Sequence, residues 1–238
     1  MNKVTFAKKI ELDYRANEAY KTLRTNIQFC GSDIKVITFT SCTPNEGKSS
    51  VSFNLAVSFA QTGKRVILID ADLRKSVLVG RYRVGAVDYG LTHYLSGQSE
   101  LEEVMLETDI ENMDVIFAGT FGPNPAELLE HQRFRDMIDS LREIYDYVLI
   151  DTPPLGSVID GAVVAKICDG AVLVIESNAI SYRFAKDVKA QLEKSNVRIL
   201  GAILNKVQLE KKGYGKYYGK YYGKYYGKYY GNYGNEIE

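Results

Sequence analysis

The chain has no tryptophan, five prolines, three cysteines and two histidines in 238 residues, and its 30 basic side chains are matched by 30 acidic ones. Each shortage closes something off. Cys30, Cys42 and Cys168 are odd in number and lack metal-ligand spacing, so reduced thiols are expected rather than a disulfide framework or a thiolate metal centre. His93 and His131 lie far apart with no cysteine or carboxylate pattern around them, and both read as surface or capping residues. No apolar run approaches the ~18 residues of a membrane-spanning helix. Residues 1–13 have no secretory-signal layout, so a cytoplasmic chain is expected. Hydrophobic content of 45% is ordinary for a soluble domain.

What is present centres on Ser41-Cys42-Thr43-Pro44-Asn45-Glu46-Gly47-Lys48-Ser49-Ser50. An apolar run, Val36 to Thr40, precedes it, and a stretch from Val51 to Ala60 that reads as a largely buried helix follows. Strand, loop and helix in this order place Gly47-Lys48-Ser49 at a helix N-terminus. There the loop of residues 43–50, with its backbone N–H groups and the helix N-terminus, can cradle phosphates, Lys48 can reach the β and γ oxygens, and the Ser49 hydroxyl can take Mg²⁺. The pattern G-x-x-x-x-G-K-[ST] asks for glycine where this chain has Cys42. A small residue packed in a tight turn, or a redox-sensitive thiol, are the two readings of that position.

Two further runs strengthen the assignment. Val66-Ile67-Leu68-Ile69-Asp70-Ala71-Asp72 and Tyr147-Val148-Leu149-Ile150-Asp151 are each four apolar residues ending in aspartate. Buried parallel strands read as continuous apolar runs, and ligands of such sheets sit beyond their carboxyl ends. Three strand ends therefore converge on one nucleotide, ATP with Mg²⁺. Alternation puts Asp70 and Asp72 on the same side, where the pair can share a metal and an incoming hydroxyl; helix N-capping is the competing role for one of them. Asp70 and Asp151 suit the metal, and Asp72 suits the acceptor. The partner of Lys48 is expected to be the nucleotide and not the core.

The remaining segments alternate. Helices are expected over 15–29, 90–97, 99–106, 123–129, 131–144, 158–167 and 182–194, and strands over 115–119, 170–176 and 197–205, with Gly63 capping the P-loop helix. This predicts an α/β, P-loop NTPase-like fold with a mostly parallel sheet and helices on both faces. One domain, residues 1–206, is followed by a tail, 207–238. The first helix carries Glu18, Lys21 and Arg24 on its polar face. Asn205, ending the last strand, is placed to touch adenine or to cap a turn.

Glu46 to Ser50, the D-x-D-x-R at Asp70 to Arg74, Asp151-Thr152-Pro153-Pro154 and Pro125-Ala126-Glu127-Leu128-Leu129 together resemble the bacterial tyrosine kinases of capsule and exopolysaccharide synthesis, in the Gram-positive form whose membrane activator is a separate chain. The resemblance implies a catalytic set of Lys48, Asp70, Asp72 and Asp151, with metal on Ser49, Asp70 and Asp151. It also implies a membrane-anchored activator that recruits the chain to the inner membrane face. Glu18, Lys21 and Arg24 answer to the family's E-x-x-R-x-x-R motif for assembly into a homo-oligomeric ring, with lysine in place of the first arginine. Partitioning and septum-site ATPases share the fold but carry an extra lysine early in the P-loop, where this chain has Thr43. A nucleotide-switched ATPase of that kind, its tail binding a partner, is the alternative reading.

From Lys211 the composition changes to a four-residue repeat containing Tyr214, Tyr217, Tyr218, Tyr221, Tyr222, Tyr225, Tyr226, Tyr229, Tyr230 and Tyr233. With no aliphatic residue from 210 to 236, this stretch cannot bury a core and is expected to be disordered. A substrate, a ligand and a spacer are the roles open to it. Stacking on single-stranded nucleic acid is disfavoured by the slightly acidic body. The parallel strand before the tail ends at the same sheet edge as the P-loop, which favours kinase substrate, and the ten tyrosines are the expected phosphorylation sites.

Overall fold

The computed structural model describes residues 2–8, 11–122 and 124–208. The chain divides into two units, 1–205 and 206–238. All the elements below belong to the first, and the ten tail tyrosines lie outside the described residues. In chain order these elements are β1 (Asn2–Val4), α1 (Tyr14–Gln28), β2 (Val36–Ser41), α2 (Lys48–Ala60), β3 (Val66–Asp70), α3 (Leu78–Tyr82), α4 (Leu91–Leu95) and α5 (Leu101–Val104). There follow β4 (Leu106–Thr108), β5 (Met113–Ile116), α6 (Pro125–Glu130), α7 (Gln132–Ile144), β6 (Tyr147–Asp151), α8 (Asp160–Ala165), β7 (Gly170–Glu176), α9 (Tyr182–Glu193) and β8 (Ile199–Asn205).

The strands form one sheet in the order β1-β4-β5-β3-β6-β2-β7-β8. Every pairing is parallel except β4 with β5. The apolar runs occupy its centre because only strands covered on both faces can bury every residue. Alternation sorts their side chains. Ile37, Phe39, Leu68 and Leu149 face a core built with Phe53, Leu55 and Phe59 of α2. Val36, Ile67, Ile69, Val148 and Ile150 face the other way, onto Phe134, Met137 and Leu141 of α7 and Val164 of α8. The order β3-β6-β2 sets the three motif-bearing strand ends side by side, with Asp70 in register with Asp151.

Local signals account for most boundaries. Asp13 caps α1, its Oδ1 accepting from Ala16 N at 2.7 Å. Gly63 follows α2 at φ +76°, the left-handed conformation of a C-terminal cap. Both histidines are capping residues: His93 Nδ1 accepts from Gly90 N at 3.0 Å, and His131 Nδ1 from Arg133 N at 3.2 Å.

Other expectations are corrected. The helix over 99–106 stops at Val104, because the chain turns extended at Met105 and enters the short strand β4. The strand placed at 115–119 begins earlier, at Met113. The helix over 158–167 is confined to Asp160–Ala165. β1 and α3 carry too few residues to show a period. On α1, Glu18 and Lys21 pair in solvent at 2.7 Å, whereas Arg24 turns onto α2, its Nη1 donating to Ser58 O at 2.5 Å and to Ser58 Oγ at 3.1 Å. The polar face is thus split.

Three rings fasten the N-terminal segment and α3 to the P-loop helix. Phe53 stacks on Tyr82 with centroids 3.8 Å apart and meets Phe6 edge-on at 4.9 Å. Phe53→Ala should therefore lower unfolding stability by about 3–5 kcal/mol in a urea titration. A loss under about 1 kcal/mol would show that the cluster does not hold these elements together.

Candidate active site

The loop from Cys42 to Gly47 carries the chain from β2 into α2. Asn45 at φ +68° and Gly47 at φ +93° give it the left-handed bends that turn successive amides inward. At Gly47 a side chain is excluded twice over, since a Cβ there would lie 2.2 Å from the Asn205 amide nitrogen. Cys42 is buried against the core around α8 and α9, the packing role rather than an exposed thiol, and burial pushes its thiol up to about 12.

Glu46 behaves unlike an ordinary loop position. Its side chain turns away from the cleft into the loop, Oε2 accepting from Cys42 N at 2.6 Å and Thr43 N at 2.8 Å, and Oε1 from Glu176 N at 3.2 Å. Asn205 Nδ2 donates to the Glu46 carbonyl at 2.9 Å.

Lys48 begins α2 and is almost fully buried. Its Nζ lies 3.3 Å from Asp72 Oδ2, 3.7 Å from Asp151 Oδ2 and 3.3 Å from Ser49 Oγ. Within the chain the lysine is held by Asp72, just past β3, and by Asp151 at the end of β6. Burial pulls its ammonium down, but Asp151, then Asp72 and Asp70, outweigh that and leave it raised.

Asp72 is held at both oxygens, Oδ1 accepting from Lys75 N at 3.0 Å. Asp70, wholly buried, accepts from Ser76 Oγ at 2.5 Å and Asp72 N at 3.2 Å. Desolvation and the adjacent Asp151 charge push Asp70 up to about 7, against relief from Ser76 and Lys48. Asp151 is raised as well, by burial first, with Lys48 opposing. Both of its carboxylate oxygens are buried and accept no hydrogen bond, a donor set that suits a hydrated cation. Among the described residues no three His, Cys, Asp or Glu side chains cluster as a metal cage. Mg²⁺ needs none when one or two protein oxygens and substrate phosphates hold it.

Lys48 and Asp72 line a cleft of about 220 Å³ at the carboxyl edge of the sheet, with Pro44, Asn45, Gly47 and Ser49 on one side and Pro153, Pro154 and Ser157 on another, while Asp70 and Asp151 lie buried behind it. The Pro153–Leu155 turn is fixed by Thr40, whose Oγ1 donates to Pro153 O at 2.9 Å and accepts from Leu155 N at 3.1 Å. A larger groove of about 620 Å³ between α6, α8 and α9 has no convergent polar set.

Two arginines of the cleft escaped the reading of the sequence. Arg74 forks onto the buried Asp160, Nε to Oδ2 at 2.7 Å and Nη2 to Oδ1 at 3.0 Å. Arg81 of α3 donates to Ser50 Oγ at 2.5 Å. The D-x-D-x-R spacing hinted at the first; nothing marked the second.

The Asp70 shift carries a sign. Folded Asp70 keeps its proton up to about pH 7, whereas the unfolded chain releases it near 3.8. Folding therefore binds a proton in that window, and stability falls as pH rises through it. In EDTA and without nucleotide, Asp70→Asn should stabilise the protein by about 2 kcal/mol more at pH 8 than at pH 5. Parallel melting curves of the two chains across that range would show Asp70 to be ionised throughout.

The site has counterparts in known proteins. A family model described as an AAA domain matches residues 34–201. Tyrosine-protein kinase CpsD of Streptococcus agalactiae is 42% identical over 203 residues, spanning 85% of this chain and 89% of that protein. Among solved structures, the chimerical protein CapA2B2 superposes with a TM-score of 0.79 at 29% identity, covering 87% of this chain and 94% of that one. The kinase domain of Escherichia coli tyrosine kinase ETK does so at 0.77 and 36% identity, covering 81% and 76%. The switch-ATPase alternative gives way to these relatives. At such identity along most of both chains, the chain is a protein-tyrosine kinase and belongs to the bacterial tyrosine-protein kinases related to capsule synthesis.

Proposed function

We propose that this kinase phosphorylates the tyrosines of its own C-terminal tail, chiefly between subunits, and thereby regulates the synthesis and export of capsular polysaccharide. The observation that carries the reading is the meeting of Lys48, Asp72 and Asp151 at the carboxyl edge of the sheet, the edge at which β8 also ends and Asn205 touches the P-loop. The tail is joined to the chain one residue later.

The chemistry follows from the groups present. The phenol oxygen attacks the γ-phosphorus as the bond to the bridging oxygen breaks, and ADP leaves with that electron pair. A phenol of pKa near 10 is neutral at pH 7, so its proton departs late, to Asp72. Lys48 now neutralises Asp72 and Asp151; triphosphate oxygens draw its ammonium onto themselves and leave Asp72 to orient the phenol. Mg²⁺, when bound, would be held by Ser49, Asp70 and Asp151 and would offset charge on the phosphates. Backbone amides of the loop and α2 orient them.

Transfer between subunits is favoured by geometry. A Gly-rich stretch as long as Lys206 to Tyr226 has a root-mean-square span of roughly 25 Å as a random coil, enough for its own site or a neighbour's. Tyr214 is only eight residues beyond Lys206, so its own chain must double back sharply, whereas a neighbour's tail enters straight at millimolar-scale effective concentration. Glu18, Lys21 and Arg24 support a closed ring, although Arg24 is engaged by Ser58 in the single chain. Residues 207–238 carry six lysines and three glutamates, +3. Each phosphotyrosine adds about −1.5 to −2, so several phosphates make the tail strongly anionic and drive the ring apart. A membrane-anchored activator that orders the nucleotide site completes the reading. The family resemblance supports it, as does a solved neighbour being a chimera; among the described residues no helix is long and apolar enough to cross a membrane.

The decisive test mixes a Lys48→Met chain bearing an intact tail with an active chain truncated after Lys211. Labelled phosphate should appear on tyrosines of the inactive chain. Its absence, in mixtures shown to co-assemble, overturns transfer between subunits. Changing Glu18, Lys21 and Arg24 together to Ala should yield monomers by light scattering, and an unchanged oligomer removes this face from the interface.

A further inference from the structure

A buried carboxylate inside a phosphate-binding loop is an unusual placement, because the loop's amides are there to receive anions. Glu46 is 1% exposed and, among the described residues, forms no ion pair. Three backbone N–H groups satisfy it instead: Cys42, Thr43 and Glu176. Charge-assisted bonds of this kind are roughly twice as strong as neutral ones. The first two come from the start of the loop, where Cys42 replaces the pattern's glycine.

The third bond and the Asn205 amide give the loop an outside anchor. Glu176 and Asn205 are register partners at the ends of β7 and β8. One gives its N–H to the Glu46 carboxylate and the other its side-chain amide to the Glu46 carbonyl, so the two strand ends grip the residue from both ends. Gly47 permits this approach, having no Cβ to meet Asn205.

We infer that Glu46 is a positioning residue for nucleotide binding: a resident carboxylate that occupies the amides of Cys42 and Thr43 and, through Glu176 and Asn205, holds the P-loop in its phosphate-receiving shape before ATP arrives. The side chain does not touch the nucleotide. Its contribution is to spare ATP the cost of ordering the loop, which lowers KM and leaves transfer from the bound state nearly unchanged.

The test uses Glu46→Gln in the full chain, an isosteric change that sets an NH₂ group against one of the three N–H donors. The KM for MgATP should rise about tenfold while kcat stays within about threefold of the parent. In the nucleotide-free protein, amide hydrogen exchange at residues 42 and 43 should accelerate, and MgADP should slow it again. This measurement needs no turnover and so stands apart from the transfer chemistry. An unchanged KM, a fall in kcat alone, or parental exchange at residues 42 and 43 would each overturn the proposal. Should Glu46→Gln fail to fold, Glu46→Asp, one methylene too short to reach all three donors, carries the same readouts.

Discussion

One ammonium group, Lys48 Nζ, sits against two buried carboxylates while a third, Asp70, presses on them from the next strand. Removing charges from water costs several kcal/mol per ion unless partners repay it. A single lysine cannot repay three, and the excess appears as Asp70 and Asp151 displaced upward. One lysine facing three carboxylates leaves an excess of negative charge at these strand ends, which phosphates accompanied by a divalent cation would offset.

The sheet creates that imbalance. Because β6 lies between β3 and β2, the aspartates closing two apolar runs stand beside each other and beside the P-loop. Central strands buried on both faces leave these carboxylates no route to water except the cleft. The same rigidity serves the loop, whose shape is set by a bond from each of two strand ends to Glu46 and by the tie of Thr40 to the Pro153–Leu155 turn.

Much of this was legible in the chain because its signals are local and redundant. Four apolar residues followed by aspartate specify a buried parallel strand and its chemistry together, and Gly47-Lys48-Ser49 between strand and helix specifies the phosphate site. The histidine caps were legible for the same reason, each being a bond to a backbone group within three residues. What escaped depends on contacts distant in sequence. Arg74 and Asp160 are separated by 86 positions, and Glu46 meets Glu176 across 130. Arg24 looked like surface charge until α2 supplied the Ser58 carbonyl. Elements such as α3 and β4 are too short for any hydrophobic period to register.

Three carboxylates gathered around one lysine predict that proton binding and MgADP binding are linked at this site. Calorimetry of MgADP binding at pH 6.5, repeated in buffers of different ionisation enthalpy, measures this directly. Binding should release on the order of half a proton or more per site, and Asp70→Asn should abolish most of the release. Binding without proton exchange in the parent chain would mean that Asp70 is already ionised, and would contradict the account of Lys48 and its carboxylates.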